Sequence, residues 1–140
     1  MSLSFGTYNP NTGSTSPTAC IDASPGHYVS QYGQSSQTAC SAGTYNPNTG
    51  STSSSACQDA SAGHYVDSSL GTGQSSQTAC AAGTYNPNTG SSSSNDCVDA
   101  DAGYYVNQSG QYSQNPCPSG TYNPSTGQPS SSCILSLIHI

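Results

Sequence analysis

Apolar side chains are sparse along this chain and return at a fixed phase. Seven Gly-x-Tyr triplets are separated by polar stretches: Gly6/Tyr8, Gly26/Tyr28, Gly43/Tyr45, Gly63/Tyr65, Gly83/Tyr85, Gly103/Tyr105 and Gly120/Tyr122. In six of them a second Gly falls five positions after the Tyr; in the fourth, the segment Asp67 to Thr72 carries a three-residue insertion before Gly73. A Cys follows that Gly seven positions later, or six in the last module. No segment has helical periodicity. Gly-Thr-Tyr and Gly-His-Tyr-Val favour a short strand. The Asn-Pro-Asn-Thr-Gly segments at Asn9–Gly13, Asn46–Gly50 and Asn86–Gly90 are turns: Pro presets φ, Asn caps its own turn, and Gly accepts a left-handed conformation. The Ser/Thr run after each turn is expected as return strand or coil. An array this regular predicts a one-dimensional stack of small modules, with no single active site.

Two kinds of module alternate. In one, a Cys stands three residues before the Gly-x-Tyr, as at Cys40, Cys80 and Cys117; in the other it stands six before, as at Cys20, Cys57 and Cys97. Together they form a super-repeat beginning near Gly6, Gly43, Gly83 and Gly120. The predicted fold is small, disulfide-rich and mostly β/coil. It is an elongated solenoid of seven short β-hairpin modules with no substantial helix. Stacking would place Tyr8, Tyr28, Tyr45, Tyr65, Tyr85, Tyr105 and Tyr122 in one ladder whose rings cover the hairpins, their hydroxyls reaching solvent or backbone.

Composition narrows the function classes. The 140 residues include no Lys or Arg and six acidic residues, for a formal charge of −6. Without basic side chains the usual routes to nucleic acid and to anionic membranes are closed. The richness in Ser, Thr, Gly, Pro and Asn would by itself read as disorder, which the periodic Cys and Tyr oppose. The core is thin, so covalent staples are expected. Seven Cys in such a chain point to an oxidising compartment and a disulfide framework. No stretch has the length of a transmembrane helix, and Met1 to Phe5 is too short for a secretory signal.

The ends read differently from the repeats. Residues 1–5 are taken as a truncated N-terminal end and 6–133 as the tandem repeats. Residues 134–140 read either as a short closing β-strand or, the reading taken, as a sequencing-adapter artefact: codons for Leu135-Ser136-Leu137-Ile138-His139-Ile140 can spell a string resembling a transposase adapter end. On this reading the natural protein continues past Cys133, and His139 carries no functional weight.

The Gly, Tyr, turn and Cys spacing between Phe5 and Cys133 resembles the extracellular ephrin-receptor-like cysteine-rich repeat, akin in style to tumour-necrosis-factor-receptor repeats. That pattern runs Cys-x-x-Cys-Pro-x-Gly-x-Tyr, a turn, then Gly-x-Ser-Ser-Cys. This chain departs from it at two places. Ala23, Ala60 and Ala100 stand where the second Cys is expected, and Gln37, Gln77 and Gln114 where the next first Cys is expected. The resemblance implies that these two positions would be bridged, so both partners of one bridge are missing three times. It thereby implies the pairing Cys40–Cys57, Cys80–Cys97 and Cys117–Cys133, with Cys20 unpaired. Each such bridge would be worth about 3 kcal/mol in the chain-entropy account. The other register, Cys20–Cys40, Cys57–Cys80 and Cys97–Cys117, would strand Cys133.

Little in the chain suggests chemistry. His27 and His64 occupy the middle of Gly-His-Tyr, but Tyr104 holds that place in the third copy, which reads as a half-exposed strand position. No Cys and His share metal-ligand spacing. Asp22, Asp59 and Asp99 recur in Cys-x-Asp-Ala and read as Asx-turn caps at module junctions. The one oxygen-rich set suggesting calcium is Asp99, Asp101 and Asn107, which lacks a complete loop motif. Asn107-Gln108-Ser109 is an N-glycosylation sequon, and the Ser/Thr runs suit O-linked sugars. No catalytic constellation, cofactor motif or resident metal site is present in the pattern. The expected role is an extracellular or cell-surface structural protein: a glycosylated stalk, matrix or fibril component. With no capping unit at either end, it could associate end to end with other copies or with other extracellular proteins. The alternatives are a spacer in a ligand-binding or adhesion receptor ectodomain and, more remotely, ice binding.

Overall fold

The computed structural model describes residues 4–130 and 133–136. Every module forms one two-stranded antiparallel hairpin. In the odd modules, β1 (Thr7–Tyr8) pairs with β2 (Ile21–Asp22), β5 (Thr44–Tyr45) with β6 (Gln58–Asp59), β9 (Thr84–Tyr85) with β10 (Val98–Asp99), and β13 (Thr121–Tyr122) with β14 (Ile134–Leu135). In the even modules, β3 (His27–Tyr28) pairs with β4 (Thr38–Ala39), β7 (His64–Tyr65) with β8 (Thr78–Ala79), and β11 (Tyr104–Tyr105) with β12 (Asn115–Pro116). Each sheet has two strands and none closes into a barrel. Disulfides join Cys40 to Cys57, Cys80 to Cys97 and Cys117 to Cys133, and Cys20 is free. Cys40, for example, directly follows β4 and Cys57 directly precedes β6, so the bridge links consecutive hairpins.

The Ser/Thr runs fold more tightly than return strand or coil. Single 3-10 turns form at η1 (Pro17–Ala19), η2 (Ser54–Ala56) and η4 (Ser94–Asp96), each ending at the Cys of an odd module. Ser16, Ser53 and Ser93 cap them by accepting a backbone N–H two residues on, which satisfies an otherwise orphaned donor. Asp96 completes a capping box in η4. The insertion in the fourth module forms a turn of its own, η3 (Ser68–Leu70), capped by Asp67.

The chain comprises two compact units. One holds residues 1–59 and 66–77, the other residues 60–65 and 78–140. Inside each, consecutive modules are laid on one another through backbone hydrogen bonds. In the first, Gly26 N–H donates to Asn46 O, Val29 N–H to Ser51 O, Gly50 N–H to Ala23 O, and Gly73 N–H to Cys40 O. In the second, Gly63 N–H donates to Asn86 O, Gly90 N–H to Ala60 O, Gly103 N–H to Asn123 O, and Gly127 N–H to Ala100 O.

The core differs from the expected tyrosine ladder. Each of the first six repeat tyrosines is half-buried, Tyr122 is 49% exposed, and the ring contact present among the described residues is Phe5 on Tyr32. The buried positions belong to smaller groups: Ala23, Ala60 and Ala100, Val29, Val66 and Val106, Cys40 and Cys80, and the amides of Asn46, Asn86 and Asn123. The residue after the Tyr is therefore the interior one, Val in the even modules and Asn in the third, fifth and seventh. Two-residue strands leave too little sheet to cover a phenol ring, whereas a Val or Asn fits between closely stacked backbones.

Ile134 and Leu135, assigned to the tail by the sequence, form the return strand of the seventh hairpin, Ile134 facing Tyr122 and Leu135 facing Thr121. Ile134 takes the place held by Ile21 and Val98, and Leu135 the place held by Asp22 and Asp99. Residues 137–140 lie outside the described residues.

Close approach of backbones explains the first Gly at Gly6, Gly26, Gly63 and Gly83, though not at Gly103 or Gly120, where the space is open. Gly26 has φ of +83°, and a Cβ there would run into the carbonyl of Gly73, two modules on. Strain and collision add, so Gly26→Ala should cost at least ~2 kcal/mol. Urea unfolding of the variant measures it, and an unchanged midpoint would refute this account of the stack.

Candidate functional site

The polar residues singled out by sequence are spent on the junctions between modules. In the Asn-Pro-Asn turn, the Oδ1 of Asn46 accepts from Asn48 N–H at 3.1 Å, the self-capped turn that such a sequence favours. Its Nδ2 does more. It donates to Ser51 Oγ at 2.8 Å and, across to the preceding module, to His27 O at 3.0 Å. Asn86 repeats the arrangement with Ser91 and His64 O, and Asn123 reaches Tyr104 O. These buried amides tie each odd module to the even one before it. The turn chemistry was legible from the sequence; the bond to the neighbouring module was not, because it depends on the stacking register.

Two glutamines make a second device. Gln37 Oε1 accepts from Ser24 N–H at 2.8 Å, and Gln114 Oε1 accepts from Asp101 N–H at 2.7 Å. Gln114 Nε2 also donates to the Asp101 carboxylate at 2.7 Å. Each partner residue directly follows one of the fully buried alanines, Ala23 and Ala100. The Gln side chain, directly before the return strand, thus joins it to the stretch of chain that leads into the first strand. A hydrogen-bonded clasp closes these even modules, where a disulfide closes the third, fifth and seventh.

The remaining candidates are placed as follows. His27 Nδ1 lies 3.1 Å from Pro25 O and His64 Nδ1 lies 3.2 Å from Ala62 O, both rings half-buried at the turn entering the strand. Tyr104, their counterpart, is 37% exposed. Asp22, Asp59 and Asp99 are exposed on the return strands β2, β6 and β10, opposite Thr7, Thr44 and Thr84. That position corrects the reading of them as Asx-turn caps, because they lie within hairpin ladders. Of the suggested calcium ligands, Asp101 is engaged by Gln114, Asp99 lies in β10, and Asn107 is exposed beyond β11. Among the described residues no three His, Cys, Asp or Glu side chains gather as a metal site. No described helix is long and apolar enough to cross a membrane. Asn107 and Ser109 of the sequon are both exposed. A groove of about 330 Å³ is lined by residues that include Asn9, Ser14, Ser16, Cys20 and Gln34.

One carboxylate has a displaced titration. The Ser69 hydroxyl, and then the Ser69 amide, donate to Asp67 and hold its pKa below the ordinary 3.8. A depressed carboxylate gives its stabilising effect in full above the unfolded pKa and loses it as pH falls through the lower folded value.

No family model matches this chain, and no curated protein is significantly similar to it. The arrangement is that of a disulfide-stabilised β-hairpin repeat whose buried polar groups serve its own architecture.

Two outcomes are expected. Gln37→Ala removes the acceptor for Ser24 N–H and should speed hydrogen exchange at that amide about tenfold, equivalent to about 1.4 kcal/mol. Unchanged exchange would mean that the clasp contributes nothing. In an NMR pH titration, the Ser69 amide should report Asp67 with a midpoint below the ordinary 3.8. A midpoint at or above 3.8 would contradict the hydrogen bonds described.

Proposed function

We propose that this chain is a non-catalytic structural segment of an extracellular or cell-surface protein, acting as a stalk, matrix or fibril element. The observation that carries the reading is the use made of polar groups. Asn46, Asn86 and Asn123 are buried and spent on module-to-module bonds, and the clasping Gln residues are spent on hairpin closure. Three disulfides suit an oxidising compartment. The resemblance to ephrin-receptor-like repeats supports the same location, as does the exposed sequon at Asn107, which we assign as the N-glycan site. The formal charge of −6 without any Lys or Arg keeps such a surface away from nucleic acid and anionic lipid.

Antibodies raised against the chain should detect it outside source cells, oxidised at six of its seven cysteines. A mass shift at Asn107 on enzymatic deglycosylation is expected in the same material. Recovery from cytosol with its thiols reduced would overturn the proposal.

A further inference from the structure

Each even module puts a large side chain on the loop between its two strands: Tyr32, Leu70 and Tyr112, which are 55%, 72% and 63% exposed. Two of these loops are tied to another module beside that residue. Phe5 packs on the Tyr32 ring, and Gln34 O, two residues on, accepts from Asn9 N–H. Gln111 O, next to Tyr112, accepts from Asn86 N–H. Around Leu70 the bonds are local. Leu70 N–H donates to Asp67 O, Gly71 N–H to Ser68 O, and Gln74 Nε2 to the carbonyls of Leu70 and Gly71. Residues Ser68 to Thr72 are all exposed, and the space beside Gly71 is open.

The covalent map singles out the same place. Cys40–Cys57 lies wholly before the Leu70–Gly71 bond and Cys80–Cys97 wholly after it, so no disulfide among the described residues spans it. The chain on either side is nevertheless interlaced. Residues 60–65 precede the bond but belong to the second unit, where β7 pairs with β8 and Gly63 N–H donates to Asn86 O. Residues 71–77 follow the bond but belong to the first unit, where Gly73 N–H donates to Cys40 O and Gln74 O accepts from Asn46 N–H.

We propose that the Leu70–Gly71 bond is a processing site for an endopeptidase whose specificity pocket takes a bulky apolar side chain, and that cleavage leaves the two fragments folded and associated without a covalent link. The reaction is hydrolysis: water adds across the amide, Leu70 keeps the carboxylate and Gly71 gains the amine. Exposed loop tips are where nicking concentrates, and η3 can open by breaking local bonds alone. Endopeptidases that need Lys or Arg at the cut find neither in this chain. Leu70 offers the apolar side chain in its place. After the cut, each fragment keeps one segment bonded within the other's unit, residues 60–65 from one side and residues 71–77 from the other. Cleavage depends on this loop and not on where the protein resides, so cell fractionation tests the structural reading above and proteolysis tests this site.

The probe is chymotrypsin, added to the full oxidised chain and followed by mass spectrometry. Each cleavage rate is divided by the rate at the same bond in the reduced, alkylated and unfolded chain, which removes the protease's own preference for Tyr over Leu. That ratio should be about tenfold or more higher after Leu70 than after Tyr32 or Tyr112. Asp67→Ala removes the cap of η3 and should speed the cut about fivefold, with the rate after Tyr112 unchanged. Leu70→Gln should slow it about tenfold while the urea midpoint stays in place. The nicked chain should run as two fragments on a denaturing gel without reductant, and as one species on gel filtration in native buffer. A higher ratio after either Tyr, or fragments that separate in native buffer, would overturn the proposal.

Discussion

The structure depends on glycine amides that leave their own hairpin and bond to the next one. A two-residue strand pair is far too small to persist by itself in water. Here the second to seventh hairpins each hand a Gly N–H to a carbonyl of another module, as from Gly26 to Asn46 and from Gly103 to Asn123. At Gly26 a side chain would push the two backbones apart. The module can therefore keep its sheet minimal, and what it buries are Ala, Val, Cys and Asn in place of large apolar groups.

Closure of the hairpins follows a second rule, in which covalent and non-covalent solutions alternate. Hydrophobic burial in so thin a chain leaves each loop costly to order. The third, fifth and seventh modules offset this with a disulfide across sixteen or seventeen residues. Where Gln37 and Gln114 stand, the offset is a side-chain amide held against a backbone N–H. The second solution works because Ala23 and Ala100 are small enough to be enclosed completely. The pairing of Ala at one position with Gln at the other has a direct physical sense. One residue takes little volume, and the other supplies a reach long enough to span the gap.

Much of the fold was legible because its signals are local. The Gly, Tyr and turn residues recur at fixed spacing, and each turn motif states its own conformation, which suffices for seven hairpins without a substantial helix. The interior was harder to read. A tyrosine ladder was expected to cover the hairpins, yet Val29 and Asn46 occupy the interior, because the way modules stack leaves room there for a Val or an Asn and not for a phenol ring. The 3-10 turns at η1, η2 and η4 were hidden in runs of Ser and Thr. Only the third residue of each run, such as Ser53, acts as a cap, and composition does not distinguish it from its neighbours. The bond from Asn46 to His27 spans nineteen residues and had no local signature.

The insertion in the fourth module bears on how such a chain can vary. Its extra residues curl into the capped turn Ser68–Leu70, with Leu70 72% exposed, and Gly73 still meets Cys40 O at 2.9 Å. In the sixth module, without those residues, Gly110 meets Cys80 O at 2.8 Å. The stacking register is thus counted from the second Gly and is blind to the length of the loop before it. That segment is a place where foreign sequence could be grafted, or natural length variation accumulate, while the column beneath stays in step.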